Sequence, residues 1–206
     1  MKHVGFSFLV LVLLLAGCIA QKTEQETVSD KITPIEDFFV LDLGVQPEID
    51  IGEWRLEVTG LVENPLSLTY DEILAMPQVT QITYLYCMPG YEGTGEWTGV
   101  PLLYVLEKAG YSDETVSVVF YAADEYSSSI PLDKAVLQDT ILAYKMNGVT
   151  LPEEHGYPLR LVVPDKVGYK WVKWIVKIEL VNYLYEGYWE SRGYSNIGNA
   201  PNAKSK

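Results

Sequence analysis

Cys87 closes an alternating run, Val79 to Tyr86, and is followed at once by Met-Pro-Gly and then by Gly93 and Gly95. A thiol that only fills a core has no need of a chain break directly after it, whereas a thiol that meets a ligand does. A second block with chemistry in it runs from Asn147 to Trp174. There His155 and Arg160 flank Gly156-Tyr157-Pro158, and Lys166, Lys170 and Lys173 follow around Gly168. A rigid turn, a glycine and converging Arg and Lys make an anion cradle, because charge-assisted hydrogen bonds are the strong ones and inward-turned backbone N–H groups add to them. The plainer reading, lysines on the solvent face of a strand, is the commoner one on charge alone.

Other chemistries lack their residues. A serine triad needs a histidine base, and beyond residue 3 only His155 remains, with no Gly-x-Ser-x-Gly elbow. Zinc asks for three or four His, Cys or carboxylate ligands, and one His with one Cys makes a weak site. Gly90, Gly93 and Gly95 follow a strand, but no Lys and no helix start stands where a phosphate-binding glycine loop needs them. Cys87 and His155 would suit a nucleophile pair if the fold brought them together. With 28 acidic against 15 basic residues the formal charge is −13, which repels nucleic acid and anionic lipid alike, so no nucleic-acid partner is expected.

The elements that must position these residues are legible as short segments. Trp54 to Gly60, Val79 to Tyr86, Val116 to Tyr121, Ile141 to Met146, Leu159 to Val163 and a long Trp171 to Val181 read as strands. Thr69 with Glu72 forms a capping box for a short helix closed by Pro77. Pro101 to Ala109 is a helix with Pro at its start and Gly110 at its end. Asn147-Gly148 is a tight-turn signal. Repeats and a second compositional regime are lacking, so the reading is one α+β domain of mixed strands and short helices spanning 34–206.

The first residues belong to something else. Lys2 and His3 precede an uncharged run, Val4 to Ala16, of signal-peptide length, which ends Leu15-Ala16-Gly17-Cys18. Cysteine directly after Leu-Ala-Gly resembles the lipobox of prokaryotic lipoproteins. Residues 1–17 are then a signal peptide, Cys18 the lipidated first residue, and 18–33 a polar, acidic tether. The expected location is the extracytoplasmic face of the cell membrane, held there through lipid. With Cys18 lipidated, Cys87 has no disulfide partner.

The 147–174 block, with "CMPGYEGTGEWTGVPL", "SSSIPLDKA" and "WESRGY", resembles the molybdopterin-binding domain of the sulfite oxidase family. The similarity runs in chain order from about Phe38 to about Tyr194. Its most specific element is His-Gly-x-Pro-x-Arg-x-x-Val-Pro with Gly168 and Val172-Lys173-Trp174 at matching spacing. The resemblance implies a molybdenum–molybdopterin cofactor with Cys87 as the thiolate ligand to molybdenum, a role that suits a soft, polarisable sulfur. It places His155 on the pterin-binding histidine and Arg160 on the arginine that pairs with the cofactor phosphate. Trp171, Val172 and Lys173 fall on the following phosphate-binding segment, and Asp124 on an aspartate that holds the pterin. Tyr194 falls on a tyrosine that overhangs the metal and acts in catalysis. The Pro-Gly stretch after Cys87 is expected to be a loop that gives metal and substrate room.

Departures from the family pattern shape the expected function. Sulfite-oxidising members carry Arg-Asn-His after Phe-Phe-Val, whereas Leu41-Asp42-Leu43 follows Phe38-Phe39-Val40 here. Where they place a further substrate arginine, five residues after the cysteine, Glu92 stands. Asp42 and Glu92 near a metal would repel sulfite. The expectation is a lipid-anchored molybdenum oxidoreductase acting on a small neutral or cationic substrate other than sulfite. No haem segment is read in the chain, so electrons pass to a separate partner. Lys2-His3 is not the twin-arginine signal usual for exported members. That keeps open an alternative, a cofactor-free lipoprotein using the same fold as a binding or interaction module.

Overall fold

In the computed structural model, which describes residues 32–88 and 90–201, alternating runs become strands because one face of each has a core to bury. Strand β1 (Leu56–Gly60) buries Leu56 and Val58 completely and turns Glu57 and Thr59 to the other face. The chain divides into two units, Met1–Asp30 and Lys31–Lys206, and the described residues belong to the second. The expected signal peptide, Cys18 and the expected tether up to residue 31 lie outside the described residues.

Two five-stranded sheets make up an α+β fold. The first runs in the order β2 (Leu66–Leu68), β1, β10 (Ile175–Val181), β5 (Ser117–Ala122), β6 (Ser127–Pro131). Only β1 and β10 run parallel in it; the rest is antiparallel. The second is antiparallel, in the order β3 (Val79–Cys87), β4 (Tyr91–Pro101), β7 (Ile141–Met146), β8 (Val149–Thr150), with β9 (Arg160–Val162) also on β7. One continuous core takes Val58, Phe120 and Ile178 from the first sheet and Leu85, Trp97, Leu142 and Leu161 from the second.

The helices form where their end signals stand. Helix α1 (Tyr70–Leu74) has Thr69 accepting from the Glu72 N–H while Glu72 accepts from the Thr69 N–H, the reciprocal box. Helix α2 (Leu102–Ala109) starts after Pro101 and stops at Gly110, whose φ of 69° is left-handed. Helix α3 (Leu132–Ala135) is one turn. Asn147 and Gly148, both at positive φ, make the two-residue turn between β7 and β8.

Two segments differ from their sequence reading. The glycine-rich stretch after Cys87 is not an open loop: the backbone turns at Gly90, whose N–H donates to the Cys87 carbonyl, and then runs as the eleven-residue strand β4. Its glycines are there for close packing. A Cβ on Gly93 would lie 2.8 Å from the Phe38 ring, and one on Gly99 would lie 2.1 Å from the Leu142 carbonyl oxygen. The second difference is that β10 begins at Ile175, not at Trp171. A 3-10 turn over Gly168–Lys170 and a positive φ at Trp174 interrupt the extended chain. Alternation gives way there, so neighbouring side chains converge instead of parting to opposite faces.

Candidate functional site

Cys87 ends β3 and is partly exposed. A parallel bridge between Tyr86 and Val167 draws the 168–170 turn alongside it. Gly168 then sits so close that an added Cβ would lie 2.8 Å from both Cβ and Sγ of Cys87, so only glycine fits without displacing the thiol. Burial pushes the thiol's pKa up, and backbone hydrogen bonds from Met88 and Gly168 to the sulfur oppose the shift without cancelling it. Left to itself the group is a protonated thiol at neutral pH.

Of the two cations nearby, Arg160 has no carboxylate paired with it among the described residues, and Lys173 has one at long range. Arg160, 5% exposed at the head of β9, donates to the His155 carbonyl at 2.9 Å and stacks 4.8 Å from the Trp97 ring centroid. Its buried Nε has no hydrogen-bond partner among the described residues. Burial lowers its pKa to about 9, an unusual state for a guanidinium. Lys173 donates to the Glu154 carbonyl at 3.0 Å and lies 3.9 Å from an Asp42 oxygen. Burial first, then Arg160, brings its pKa down to about 8. A buried guanidinium that also lowers the basicity of the lysine beside it leaves room for a further negative charge at the pair. His155, 2% exposed and edge-on to Phe38 at 5.7 Å, is held at about 4 by burial and by Arg160, so it is neutral at physiological pH. Burial raises the Asp124 carboxyl, which accepts from the Tyr126 N–H.

A cleft of about 350 Å³ gathers these groups. Cys87, Asp124, His155, Arg160, Trp171, Val172, Lys173 and Tyr194 all line it, although they come from segments spread over more than a hundred residues. Trp171 is fixed by its indole N–H on the Lys166 carbonyl at 3.0 Å, and Val172 by its carbonyl accepting from Leu161. Tyr194, 38% exposed, packs on Trp189 and Tyr169.

Some expected contributors stay away. Lys166 donates to Asn199, and Lys170 is sealed against Glu190 in a fully buried pair, so of the three lysines only Lys173 faces the cleft. Glu92 does not reach it either. Cys87 pairs with Tyr91 across the hairpin, which puts the adjacent Tyr86–Glu92 pair on the opposite face, where Glu92 accepts from the Tyr84 hydroxyl. Asp42 does line the cleft, with the apolar run Phe38 to Leu41. Sequence reasoning missed Tyr126, Tyr169 and Trp189, which also line it. Tyr126 stands between Asp124 and the serine strand β6, and that position was the available signal.

The pattern of the oxidoreductase molybdopterin-binding domain matches residues 43–189. The chain belongs to that family. It is 39% identical over 151 residues to the putative protein-methionine-sulfoxide reductase subunit YedZ1 of Azospira oryzae, covering 73% of this chain and 58% of that one. It is 32% identical to the mitochondrial sulfite oxidase of Drosophila melanogaster, over 80% of this chain but 34% of that one. The sulfane dehydrogenase SoxCD of Paracoccus pantotrophus has the same fold at a TM-score of 0.70 and 31% identity, covering 74% of this chain and 44% of that one. This chain thus spans little more than half the length of the first of these relatives and about a third of the second.

The family's cofactor is molybdenum–molybdopterin, and the cleft fits it on its own terms. A phosphate would give Arg160 Nε the partner it lacks and Lys173 a closer anion than Asp42. Among the described residues no three of His, Cys, Asp and Glu converge, so a metal beside Cys87 would take its other ligands from a cofactor.

The depressed His155 sets a pH dependence. Between pH 6.5 and about 4 the unfolded chain binds a proton at this residue and the folded chain does not, so stability falls with pH through that window. The loss is on the order of 3 kcal/mol. Thermal unfolding from pH 7 to 4 should fall less steeply for His155→Gln than for the wild type; parallel curves would contradict this.

Proposed function

We propose that this chain is a lipid-anchored oxidoreductase that holds molybdenum–molybdopterin in the cleft, acts on a small substrate other than sulfite, and hands electrons to a separate partner. The observation that carries it is Arg160, a buried guanidinium with an orphaned Nε and no anion. A fold kept only as a cofactor-free binding module has no use for such a group.

In this reading Arg160 and Lys173 bind the cofactor phosphate, and Trp171 and Val172 shape the wall behind it. Asp124 and the neutral His155 hold the pterin. Cys87 would hold the metal as a thiolate, its proton released to solvent, while the Gly168 and Met88 N–H groups temper the sulfur's charge. Tyr194 offers its phenol at the mouth of the cleft. The cofactor supplies the two-electron chemistry. Asp42 stands where sulfite-oxidising members carry their Arg-Asn-His motif, and a carboxylate there disfavours an anionic substrate. With Glu92 turned away, Asp42 carries that exclusion at the position of the missing motif, and Asp124 and Glu154 also line the cleft.

Arg160→Met separates cofactor binding from folding. Removing an uncompensated buried charge should leave the unloaded protein as stable as wild type or more so. Losing a charge-assisted hydrogen bond should lower molybdenum occupancy roughly tenfold or more, and Lys173→Ala should act likewise. Metal analysis and thermal unfolding check both; full occupancy in both variants would remove the cradle assignment.

The anchor rests on Leu15-Ala16-Gly17-Cys18. Cys18→Ser should shift the protein from the detergent phase to the aqueous phase or leave it unprocessed. Unchanged partitioning would contradict it.

A further inference from the structure

Part of the cleft is walled by aromatic rings. Tyr194 touches Trp189, with centroids 5.0 Å apart and planes at 54°, and Tyr169 at 5.5 Å and 77°. All three rings line the cleft, and at those angles they form a corner, not a stack. The corner is held from outside. Lys170 follows Tyr169 and Glu190 follows Trp189, and these two neighbours are the fully buried ion pair, with Ser128 donating to Glu190 Oε1 and the Ser129 carbonyl accepting from Lys170, while Glu190 Oε2 has no partner among the described residues. One ion pair therefore sets two of the three walls. The Tyr126 hydroxyl adds to this by donating to the Tyr169 carbonyl at 2.5 Å.

The charges that line the cleft complete the picture. Asp42, Asp124 and Glu154 face Arg160 and Lys173, with His155 neutral. Once a phosphate engages Arg160 and Lys173, the carboxylates are left without an equal number of free cations. Lys170 is closed off by Glu190, although its Nζ lies 5.5 Å from the Tyr169 centroid. Aromatic faces here already hold the chain's own cations: Lys173 sits 4.0 Å from Trp174, and Arg192 sits 3.7 Å from Tyr188.

We propose that the corner of Tyr169, Trp189 and Tyr194 is a subsite for a small organic cation, so that the substrate carries an alkylated onium group, quaternary ammonium or sulfonium. This deepens the cofactor reading above and rests on it for the engagement of Arg160 and Lys173. An alkylated onium is weakly hydrated, loses little on leaving water, and meets the negative faces of the rings. The carboxylates add attraction that solvent screens poorly inside a cleft. An anion meets the same rings and carboxylates as repulsion.

Choline and its neutral isostere 3,3-dimethylbutan-1-ol test the charge at constant shape. Isothermal titration of the purified protein should show choline binding roughly tenfold tighter or more, the size of a desolvated cation–π contribution. Tyr194→Phe keeps the ring and should keep the preference, while Tyr194→Leu should lose most of it. Equal affinity for the two ligands, or an unchanged preference in Tyr194→Leu, would overturn the inference. Molybdenum content measured on the same samples reports on the cofactor reading separately. Loaded protein without choline preference sinks the corner alone, and metal-free protein that still prefers choline sinks the cofactor reading alone.

Discussion

A buried guanidinium with no anion beside it is the constraint around which this cleft is arranged. Arg160 lies at the head of a three-residue strand whose every residue is buried, so it cannot swing out to water. Among the described residues it is relieved by one carbonyl and one ring face. Lys173 stands close enough to lose part of its own basicity to it. Such an arrangement costs folding free energy and persists where a ligand returns more than it costs. The neutral state of His155 follows first from its burial and then from Arg160, since a third charge there would compound the repulsion.

The thiol is arranged on a similar principle. Burial keeps Cys87 protonated, and the glycine opposite leaves its sulfur uncovered by any side chain from that direction. Both features depend on the 168–170 turn, which the Lys170–Glu190 pair clamps to the segment carrying Trp189 and Tyr194. Removing one partner of such a pair leaves an uncompensated buried charge, which typically costs roughly 3–5 kcal/mol. One buried pair thus couples the turn beside Cys87 to the rings of Trp189 and Tyr194.

Much of this was legible in the sequence, for local reasons. Thr69 with Glu72, Pro101 with Gly110, and Asn147-Gly148 each encode their conformation within a few residues, and each forms where it is written. The site residues were legible through spacing against a known family, not through periodicity. What escaped depends on contacts between distant segments. Gly93 reads as a loop residue because nothing local reveals that a Phe38 ring presses on it. Lys166 and Lys170 read as cradle residues because Asn199 and Glu190, which hold them, lie twenty to thirty-three residues on. Glu92 was misplaced because its face depends on the β3–β4 register.

The account holds that the protein contributes a single sulfur, that of Cys87, to a molybdenum whose other sulfurs come from the cofactor. Molybdenum-edge X-ray absorption on protein purified from its native host measures this directly. The wild type should show one more Mo–S contact than Cys87→Ser, with both samples retaining the cofactor through Arg160 and Lys173. The same number of Mo–S contacts in the two samples would contradict it and leave Cys87 a core residue beside someone else's metal.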